Sequence, residues 1–355
     1  MRRWRTRDES IAGLVAPSAA DGAAADLVIA RRTFLVVIGC TLLAAPLVAE
    51  AQQTGKVWRI AIVLPGSPDT VGHIANAIET SLANAGYVDG SNIRLERRLY
   101  PPDPVGAERV LRAIAPKIDL LIVGGTTGGV IAKKVTTTLP TVFQAVSDPV
   151  RLGLVASLAH PGGNMTGVSF EAAGETYGKR LQLLKEIVPG LTVLGVLGAP
   201  GDTNVPVAME SLERVAPDLH VTIRLFEVTA ITGVDGAFTM MNRSGVQGVL
   251  VVAGVFTYEH GRRIAELALS HRLPSVHALR ETVAAGGLIS LGTNIVDMAP
   301  LVAAYVDKII KGAKPGDLPI EQPTKFELVI NLKTAKALGL TIPPSLLQRA
   351  DQVIE

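Results

Sequence analysis

The chain has 355 residues, 48% of them hydrophobic, so it is long enough to bury two cores of ordinary domain size. Its 34 basic residues are scattered among 32 acidic ones, and the net charge of +2 argues against a nucleic-acid-binding protein. Aromatic residues make up 4% of the sequence, which argues against a platform for stacking RNA bases and favours an α/β fold class.

The first 51 residues have the pattern of a secretory signal peptide. Arg31 and Arg32 precede an apolar stretch over residues 34–48, and residues 49–51 form a small-x-small triplet that suits a signal peptidase. Cleavage after this triplet would leave a mature chain that begins at Gln52. The sequence therefore predicts a protein that is exported to the periplasm.

Three alternatives for this segment stay open. Residues 37–40 resemble a lipobox, which would leave Cys40 lipidated. Residues 31–35 resemble a twin-arginine export signal, and a true start codon near residues 27–28 would give an ordinary short signal. Cys40 is the single cysteine, so a chain cleaved at Gln52 would contain neither a disulfide nor a thiolate metal site.

From Trp58 the chain alternates short β-branched apolar runs with helical patterns, which is typical of repeated βαβ units and parallel sheets. The first series predicts strands at 59–64, 92–98, 120–123 and 141–146, with helices over 71–85 and 105–115 and after residue 129. Residues 158–170 are rich in Gly and Pro and predict a turn-rich crossover. The second series predicts strands at 192–197, 222–228, 249–252 and 275–278, with helices over 175–188, 205–216, 234–243 and 260–271.

Two series of similar length fit two lobes better than one large sheet. In open parallel sheets, ligands bind beyond the carboxyl ends of the strands, where loops and helix N-termini converge. We therefore expect a ligand between the lobes, in contact with the loops that follow the strands.

The strongest candidate is the glycine-rich loop 124–129, because it follows a strand and leads into a helix. Gly125, Thr126 and Thr127 offer backbone N–H groups and hydroxyls to an anionic group. The loop is neither a Walker loop nor a dinucleotide fingerprint, since it lacks the Lys-Ser/Thr pair and the glycine spacing. An ordinary strand-to-helix turn capped by Thr127 explains the same residues equally well.

Further candidates follow the other predicted strands, in the second lobe in the loops 198–204, 253–258 and 291–292. Asp148 could pair with a ligand ammonium, although Asp before Pro also forms turns. Phe256 and Tyr258 could pack against an apolar or aromatic ligand, or cover the rim of the sheet. The full set of predicted ligand-binding residues is Pro65, Gly66, Ser67, Gly125, Thr126, Thr127, Ser147, Asp148, Asn204, Gly254, Phe256, Tyr258 and Gly292.

Catalytic motifs are absent from the sequence. It contains no nucleophile elbow, no His-Glu-x-x-His motif and no Cys-His pairing. The histidines, at positions 73, 160, 220, 260, 271 and 277, lack the spacing of metal ligands. No catalytic residue, metal or cofactor is predicted, and an α/β cleft enzyme is the least favoured class.

Segments along the whole mature chain carry a recognisable pattern. They include Ser-Asp-Pro-Val at 147–150, Gly-Leu-Val-Ala-Ser-Leu at 153–158, Pro-Gly-Gly-Asn-Met-Thr-Gly at 161–167, Gly-Lys-Arg-Leu at 178–181, and most of 304–339. These segments resemble the ABC-transporter substrate-binding family that includes tryptophan and tyrosine binders. The resemblance covers residues 57–355.

The resemblance implies a periplasmic-binding-protein type I fold, with two doubly wound parallel-sheet lobes joined by three crossovers around a ligand cleft. The N-terminal lobe would comprise 57–165 plus about 293–315, and the C-terminal lobe 167–291 plus about 316–355. A helix at 298–311 would pack on the first lobe, and a strand at 325–331 would rejoin the second.

The family also implies an extracytoplasmic solute-binding component of an ABC importer, which delivers a small-molecule ligand to permease and ATPase subunits. We expect the protein to be monomeric. A protein serving a sensor kinase or chemoreceptor would have the same fold and stays an alternative. The chain departs from many relatives at Arg151, at Leu291 and in the Gly-Ala-Pro-Gly-Asp loop at 198–202. The ligand class therefore stays open among amino acids, other organic acids and aromatic compounds.

Overall fold

The computed structural model of the chain describes residues 56–101, 103–170 and 175–355. The predicted signal peptide over residues 1–51, with the lipobox at Cys40, lies outside the described residues. In the described part of the chain, no helix combines the length and apolar character needed to cross a membrane. Residues Val57–Glu355 form one compact unit that contains two β-sheets.

The first sheet and the helices that pack on it are called the first lobe. Its strands are β1 (Trp58–Pro65), β2 (Ile93–Tyr100), β3 (Leu120–Gly124), β4 (Thr141–Val146) and β5 (Met165–Ser169), and its helices are α1 (Pro68–Asn84), α2 (Pro104–Ile114) and α3 (Thr126–Val135). All strands are parallel, in the order β2-β1-β3-β4-β5. The central strand β3 is buried along its whole length, which explains its uninterrupted apolar sequence.

Strand β5 was not predicted, because its segment has the composition of a turn. Gly167 in its middle is required by packing, since a Cβ there would lie 2.0 Å from the Phe143 carbonyl oxygen on β4. The prediction of a turn-rich crossover over residues 158–170 is therefore wrong for residues 165–169. The first sheet extends to Ser169, beyond the predicted boundary at residue 165.

The second sheet and its helices are called the second lobe. Its strands are β6 (Val193–Gly198), β7 (Thr222–Glu227), β8 (Gly248–Val251), β9 (Ser275–His277), β10 (Ile289–Gly292), β11 (Glu327–Asn331) and β12 (Gln352–Ile354), in the order β12-β11-β10-β9-β8-β6-β7. Its helices are α4 (Glu175–Ile187), α5 (Asn204–Val215), α6 (Ile231–Arg243), α7 (Val255–Glu259), α8 (Gly261–Ser270) and α9 (Arg280–Ala284). Only β10 and β11 pair antiparallel among the described strands, so the prediction of an α/β fold dominated by parallel sheets is confirmed.

The chain returns to the first lobe after β10. Helix α10 (Ala299–Ile310) packs on α1, and β11 then pairs with β10 in the second lobe, followed by α11 (Leu332–Leu338) and α12 (Pro344–Arg349). Both placements agree with the expectations for residues 298–311 and 325–331. The second return begins later than residue 316, because the backbone N–H of Ile320 still donates to Leu158 in the first lobe.

Candidate functional site

A cavity lies between the two lobes, at the carboxyl ends of their parallel strands. Its volume is about 80 Å³, and a single water needs only roughly 10–15 Å³ of such space, so the cavity can hold a small organic molecule. The residues that line it from the first lobe and the β10–α10 crossover are Leu64, Pro65, Val71, Ile74, Gly124, Gly125, Thr126, Thr127, Gln144, Ala145, Ser147, Phe170 and Ile295. The second lobe contributes Asp202, Asn204, Ala253, Gly254, Val255, Tyr258 and Leu279.

The structure brings much of the predicted set together. Pro65, Gly125, Thr126, Thr127, Ser147, Asn204, Gly254 and Tyr258 line the cavity. The remaining predicted residues, Gly66, Ser67, Asp148, Phe256 and Gly292, are not part of its lining. Contact between any of these residues and a ligand stays a prediction.

Two of the residues outside the lining have clear packing roles. Phe256 is buried in the apolar core of the second lobe and packs edge-on against His260, with 4.8 Å between ring centroids. Ser67 is the residue at the N-terminal cap of α1, where its hydroxyl lies 3.2 Å from the Thr70 hydroxyl. The burial of Phe256 in the core explains its aromatic side chain without a ligand, and contact between Phe256 and a ligand stays a prediction.

The presence of Gly66, Asp148 and Gly292 at their positions is explained by the local path of the backbone. Asp148 accepts a hydrogen bond at Oδ1 from the Arg151 N–H, 3.1 Å away, and so shapes the loop after β4. Gly66 turns the chain with a φ of 103°. A Cβ at Gly292 would lie 1.8 Å from the Ala278 carbonyl oxygen, so this glycine allows two backbone segments to approach closely.

The glycine-rich loop 124–129 contains the first turn of α3. The helix begins at Thr126, and Gly125 occupies the N-terminal cap with a φ of 79°. The capping residue, Gly125, has no side chain, and Thr127 lies inside the first turn, so the interpretation of Thr127 as a capping residue is wrong. The first N–H groups of a helix have no partner within it, and Thr126 and Thr127 both line the cavity. This helix start can therefore receive an anionic group.

Tyr100 supports the start of α3 from the neighbouring strand. Its hydroxyl donates to the Gly124 carbonyl oxygen over 2.7 Å and accepts from the Gly128 N–H. Burial raises the pKa of Tyr100, so the hydroxyl stays protonated and able to donate. A Cβ at Gly128 would lie 2.7 Å from this hydroxyl oxygen, which explains why glycine occupies the position.

Thr126 connects the two lobes. Its buried hydroxyl donates to Asn204 Oδ1 in the second lobe over 3.2 Å and accepts from the Ser147 N–H over 3.1 Å. The Asn204 amide nitrogen donates in turn to the Ala253 carbonyl oxygen. The two walls of the cavity are therefore in direct contact at this point.

Two further contacts cross from lobe to lobe. The Tyr258 hydroxyl donates to the Thr70 carbonyl oxygen over 3.1 Å, and burial, the larger cause, raises the pKa of Tyr258. On the surface, the Arg151 guanidinium lies 2.9 Å from the Glu210 carboxylate on α5. The chain thus adopts a closed arrangement, in which the lobes touch around the cavity.

Asp202 is the carboxylate that lines the cavity, and it was missed within the predicted loop 198–204. Burial raises its pKa to about 6, and a hydrogen bond from the Asn204 N–H to Oδ1, 2.9 Å, opposes this shift. A Cβ at Gly254 would lie 1.8 Å from Asp202 Oδ2, so only glycine at 254 leaves room for the carboxylate. The sequence signal for Asp202 was its position after a strand, between the turn glycine Gly201 and the start of α5 at Asn204.

Gln144 and Ala145 also line the cavity but are absent from the predicted set of ligand-binding residues. They are consecutive residues of β4, yet both line the cavity, because the register with β5 shifts between Gln144 and Val146 and Ala145 has a φ of 58°. The Gln144 amide nitrogen donates to the Ile295 carbonyl oxygen over 2.8 Å. A glutamine near the end of an apolar strand was the visible signal, but the sequence does not reveal the bulge.

The rest of the lining is mainly apolar. Leu64, Val71, Ile74, Phe170, Leu279 and Ile295 surround the few polar groups. Apolar walls with a small number of oriented polar groups are typical of sites for small organic molecules. Across the described ranges there is no group of three or more His, Cys, Asp and Glu side chains that could hold a metal ion.

Comparisons with known proteins agree with this geometry. Residues 59–354 match the family described as ABC transporter substrate binding protein. The tyrosine-binding protein of Clostridioides difficile (strain R20291) is 24% identical over 73% of this chain and 74% of its own length. The crystal structure of an ABC domain from Streptococcus pneumoniae in complex with L-Trp is 26% identical, with a TM-score of 0.78, over 84% of this chain and 100% of that one.

A conserved domain protein from Vibrio cholerae matches with the same coverage, 84% and 100%, at 26% identity and a TM-score of 0.78. The type I periplasmic-binding fold expected from the resemblance is thereby confirmed. Because the family match spans nearly all of the described unit, the chain belongs to the ABC transporter substrate-binding protein family.

Proposed function

We propose that the protein is the extracytoplasmic binding component of an ABC importer, and that its ligand is an amino acid with a large apolar side chain. The observation that carries the proposal is the pairing of two groups on opposite walls of one cavity. The start of α3 at Thr126 and Thr127 suits a carboxylate, and Asp202 suits an ammonium group. The apolar residues of the lining, among them Leu64, Val71 and Phe170, suit the side chain.

The relatives support this ligand class over the other organic acids. One is a tyrosine-binding protein and another was crystallised with L-Trp. A carboxylate without an ammonium group would leave Asp202 opposite no positive charge. Ammonium recognition is therefore the feature that separates an amino acid from an aromatic acid at this site.

Calorimetry with L-tryptophan, L-tyrosine and L-phenylalanine tests the ligand class. Tryptamine lacks the carboxylate and indole-3-propionate lacks the ammonium group, so each should bind at least about tenfold more weakly than L-tryptophan, because each loses a charge-assisted hydrogen bond. Equal affinity for the parent and either analogue would contradict the proposal.

Delivery to a permease is tested in cells. Substrate-binding proteins of ABC transporters act outside the cytoplasm, so deletion of the gene should abolish high-affinity uptake of the labelled amino acid. Unchanged uptake with a lost chemotactic or transcriptional response would favour the receptor alternative.

Mass spectrometry of the exported protein should find Gln52 at the N-terminus, whereas a lipid on Cys40 would contradict cleavage after Ala51.

A further inference from the structure

We infer that Gln144 selects ligands whose apolar side chain carries a neutral hydrogen-bond donor, a hydroxyl or a ring N–H, by accepting that donor at its Oε1. The inference deepens the proposed function and rests on it, because it assumes that an amino acid occupies the cavity. It begins from the irregular end of β4, which brings two adjacent residues to the lining.

The bulge at the end of β4 strains the backbone at one residue, Ala145. Ala145 has a φ of 58°, a conformation that residues with a Cβ adopt rarely, and such strain persists where the surrounding structure holds it in place. In a regular strand, successive side chains point to opposite faces, so only one of Gln144 and Ala145 would reach the cavity. The strained backbone therefore places Gln144 at the lining together with Ala145.

The orientation of the Gln144 amide follows from its neighbour. A backbone carbonyl only accepts hydrogen bonds, so the group that lies 2.8 Å from the Ile295 oxygen is the amide nitrogen. The Oε1 atom is then the acceptor. Within the described ranges it is buried and has no hydrogen-bond partner, and the residue is 1% exposed. A buried carbonyl without a donor favours any ligand that supplies one.

The surroundings of this acceptor define the donor. Ala145, Phe170 and Ile295 line the same cavity and carry no charge, so they offer nothing to stabilise a charged ligand group. The carboxylate of Asp202 belongs to the other lobe and is assigned to the ammonium. A phenolic hydroxyl or an indole N–H fits an isolated neutral acceptor, whereas a side chain without a donor leaves Oε1 unsatisfied.

A structural role for Gln144, as a tie between β4 and the crossover at Ile295, would predict loss of stability without a change in ligand preference. Asn164 provides the matched control. Its buried side chain donates to the Leu139 carbonyl oxygen over 2.8 Å, and its Oδ1 has no partner in the described part of the chain, but it does not line the cavity.

The test is a ratio of dissociation constants, measured by calorimetry with two pairs of probes: L-tyrosine against L-phenylalanine, and L-tryptophan against 1-methyl-L-tryptophan. The unmodified protein should prefer the donor-bearing member of each pair by about tenfold. Gln144→Leu should reduce this ratio to about one, and Asn164→Leu should leave it unchanged. If Gln144→Leu does not fold, the more adaptable Gln144→Met replaces it.

The outcomes separate the two proposals. If none of the four compounds binds the unmodified protein, the proposed function fails. If they bind but the unmodified protein shows no preference, or if the Gln144 variant keeps the full preference, the inference about Gln144 is overturned while the proposed function stands.

Discussion

Thr126 in the first lobe and Asn204 in the second are joined by a hydrogen bond of 3.2 Å, and both side chains are buried. Each residue also lines the cavity between the lobes, so the bond belongs to the closed arrangement of the lobes. A ligand that contacts both walls binds the closed form better than the open one, and this difference in affinity drives closure.

The first prediction concerns this bond. Thr126→Val keeps the shape of the side chain but removes the hydroxyl, and we expect it to weaken amino-acid binding by about tenfold, because one neutral hydrogen bond of the closed form is lost. Asn204→Leu removes the partner. Calorimetry on both single variants and the double variant should give a coupling free energy of about 0.5–1.5 kcal/mol. Strictly additive effects would contradict a direct contribution of the bond to closure.

The second prediction is a small effect at the surface. Arg151 and Glu210 form the outer contact between the lobes, but their side chains are 45% and 58% exposed, so solvent screens the pair. Arg151→Met should change ligand affinity by less than about fivefold at physiological salt, since exposed pairs contribute about 0.2–1 kcal/mol. A loss larger than that of Thr126→Val would show that the surface pair controls closure.

The third prediction is a pH dependence of binding. Burial raises the pKa of Asp202 to about 6 in the unliganded protein, so its carboxylate is mostly ionised at pH 7 and mostly protonated at pH 5. Because the ligand ammonium pairs with the ionised form, affinity should fall about tenfold between pH 7 and pH 5. Calorimetry across this range tests the effect.

Two variants identify the group responsible. Asp202→Asn should bind weakly with little pH dependence, whereas Asp148→Asn should behave like the unmodified protein, because Asp148 does not line the cavity. A pH dependence that disappears in Asp148→Asn and persists in Asp202→Asn would reassign the ammonium partner to Asp148.

The fourth prediction concerns stability. Burial, followed by the positive charge of Arg180, lowers the pKa of His277 from 6.5 to about 3. As the pH falls, the unfolded chain therefore binds a proton at His277 that the folded chain does not bind. The contribution of the neutral His277 to the free energy of unfolding is present above pH 6.5 and is lost as the pH falls from 6.5 towards 3. The loss should be about 1.4 kcal/mol per pH unit, seen as a falling free energy of unfolding in urea titrations.

His277→Gln should remove this part of the pH slope. The exposed His73 on α1 is the control position, and His73→Gln should keep the slope of the unmodified protein. Equal slopes in all three proteins would contradict a buried neutral imidazole.

Much of the fold could be predicted because strands and helices of the α/β lobes carry strong periodic patterns. Strand β3 is apolar throughout since it is buried on both faces, and the helices show one apolar stripe. Strand β5 was not predicted, because its segment, which includes Gly167, has the composition of a turn. Glycine is needed there because β4 lies close to it in the folded chain, and this contact is not visible in the sequence. The short helices α7 and α9 have too few residues to show a period.

Part of the lining of the cavity could be predicted for a similar reason. Residues after parallel strands converge on one edge of a sheet, so Thr126, Ser147 and Asn204 could be chosen from strand ends alone. The roles proposed for Asp202 and Gln144 depend on the close approach of Asp202 to Gly254 and on the bulge in β4. Neither feature is visible before the chain is folded.

The most direct test of the account is a crystal structure of the protein with L-tryptophan. The account predicts the amino acid between the lobes, with its carboxylate on the N–H groups of Thr126 and Thr127 and its ammonium within hydrogen-bond distance of the Asp202 carboxylate. A ligand bound outside this cavity, or bound within it with the ammonium away from Asp202, would contradict the account.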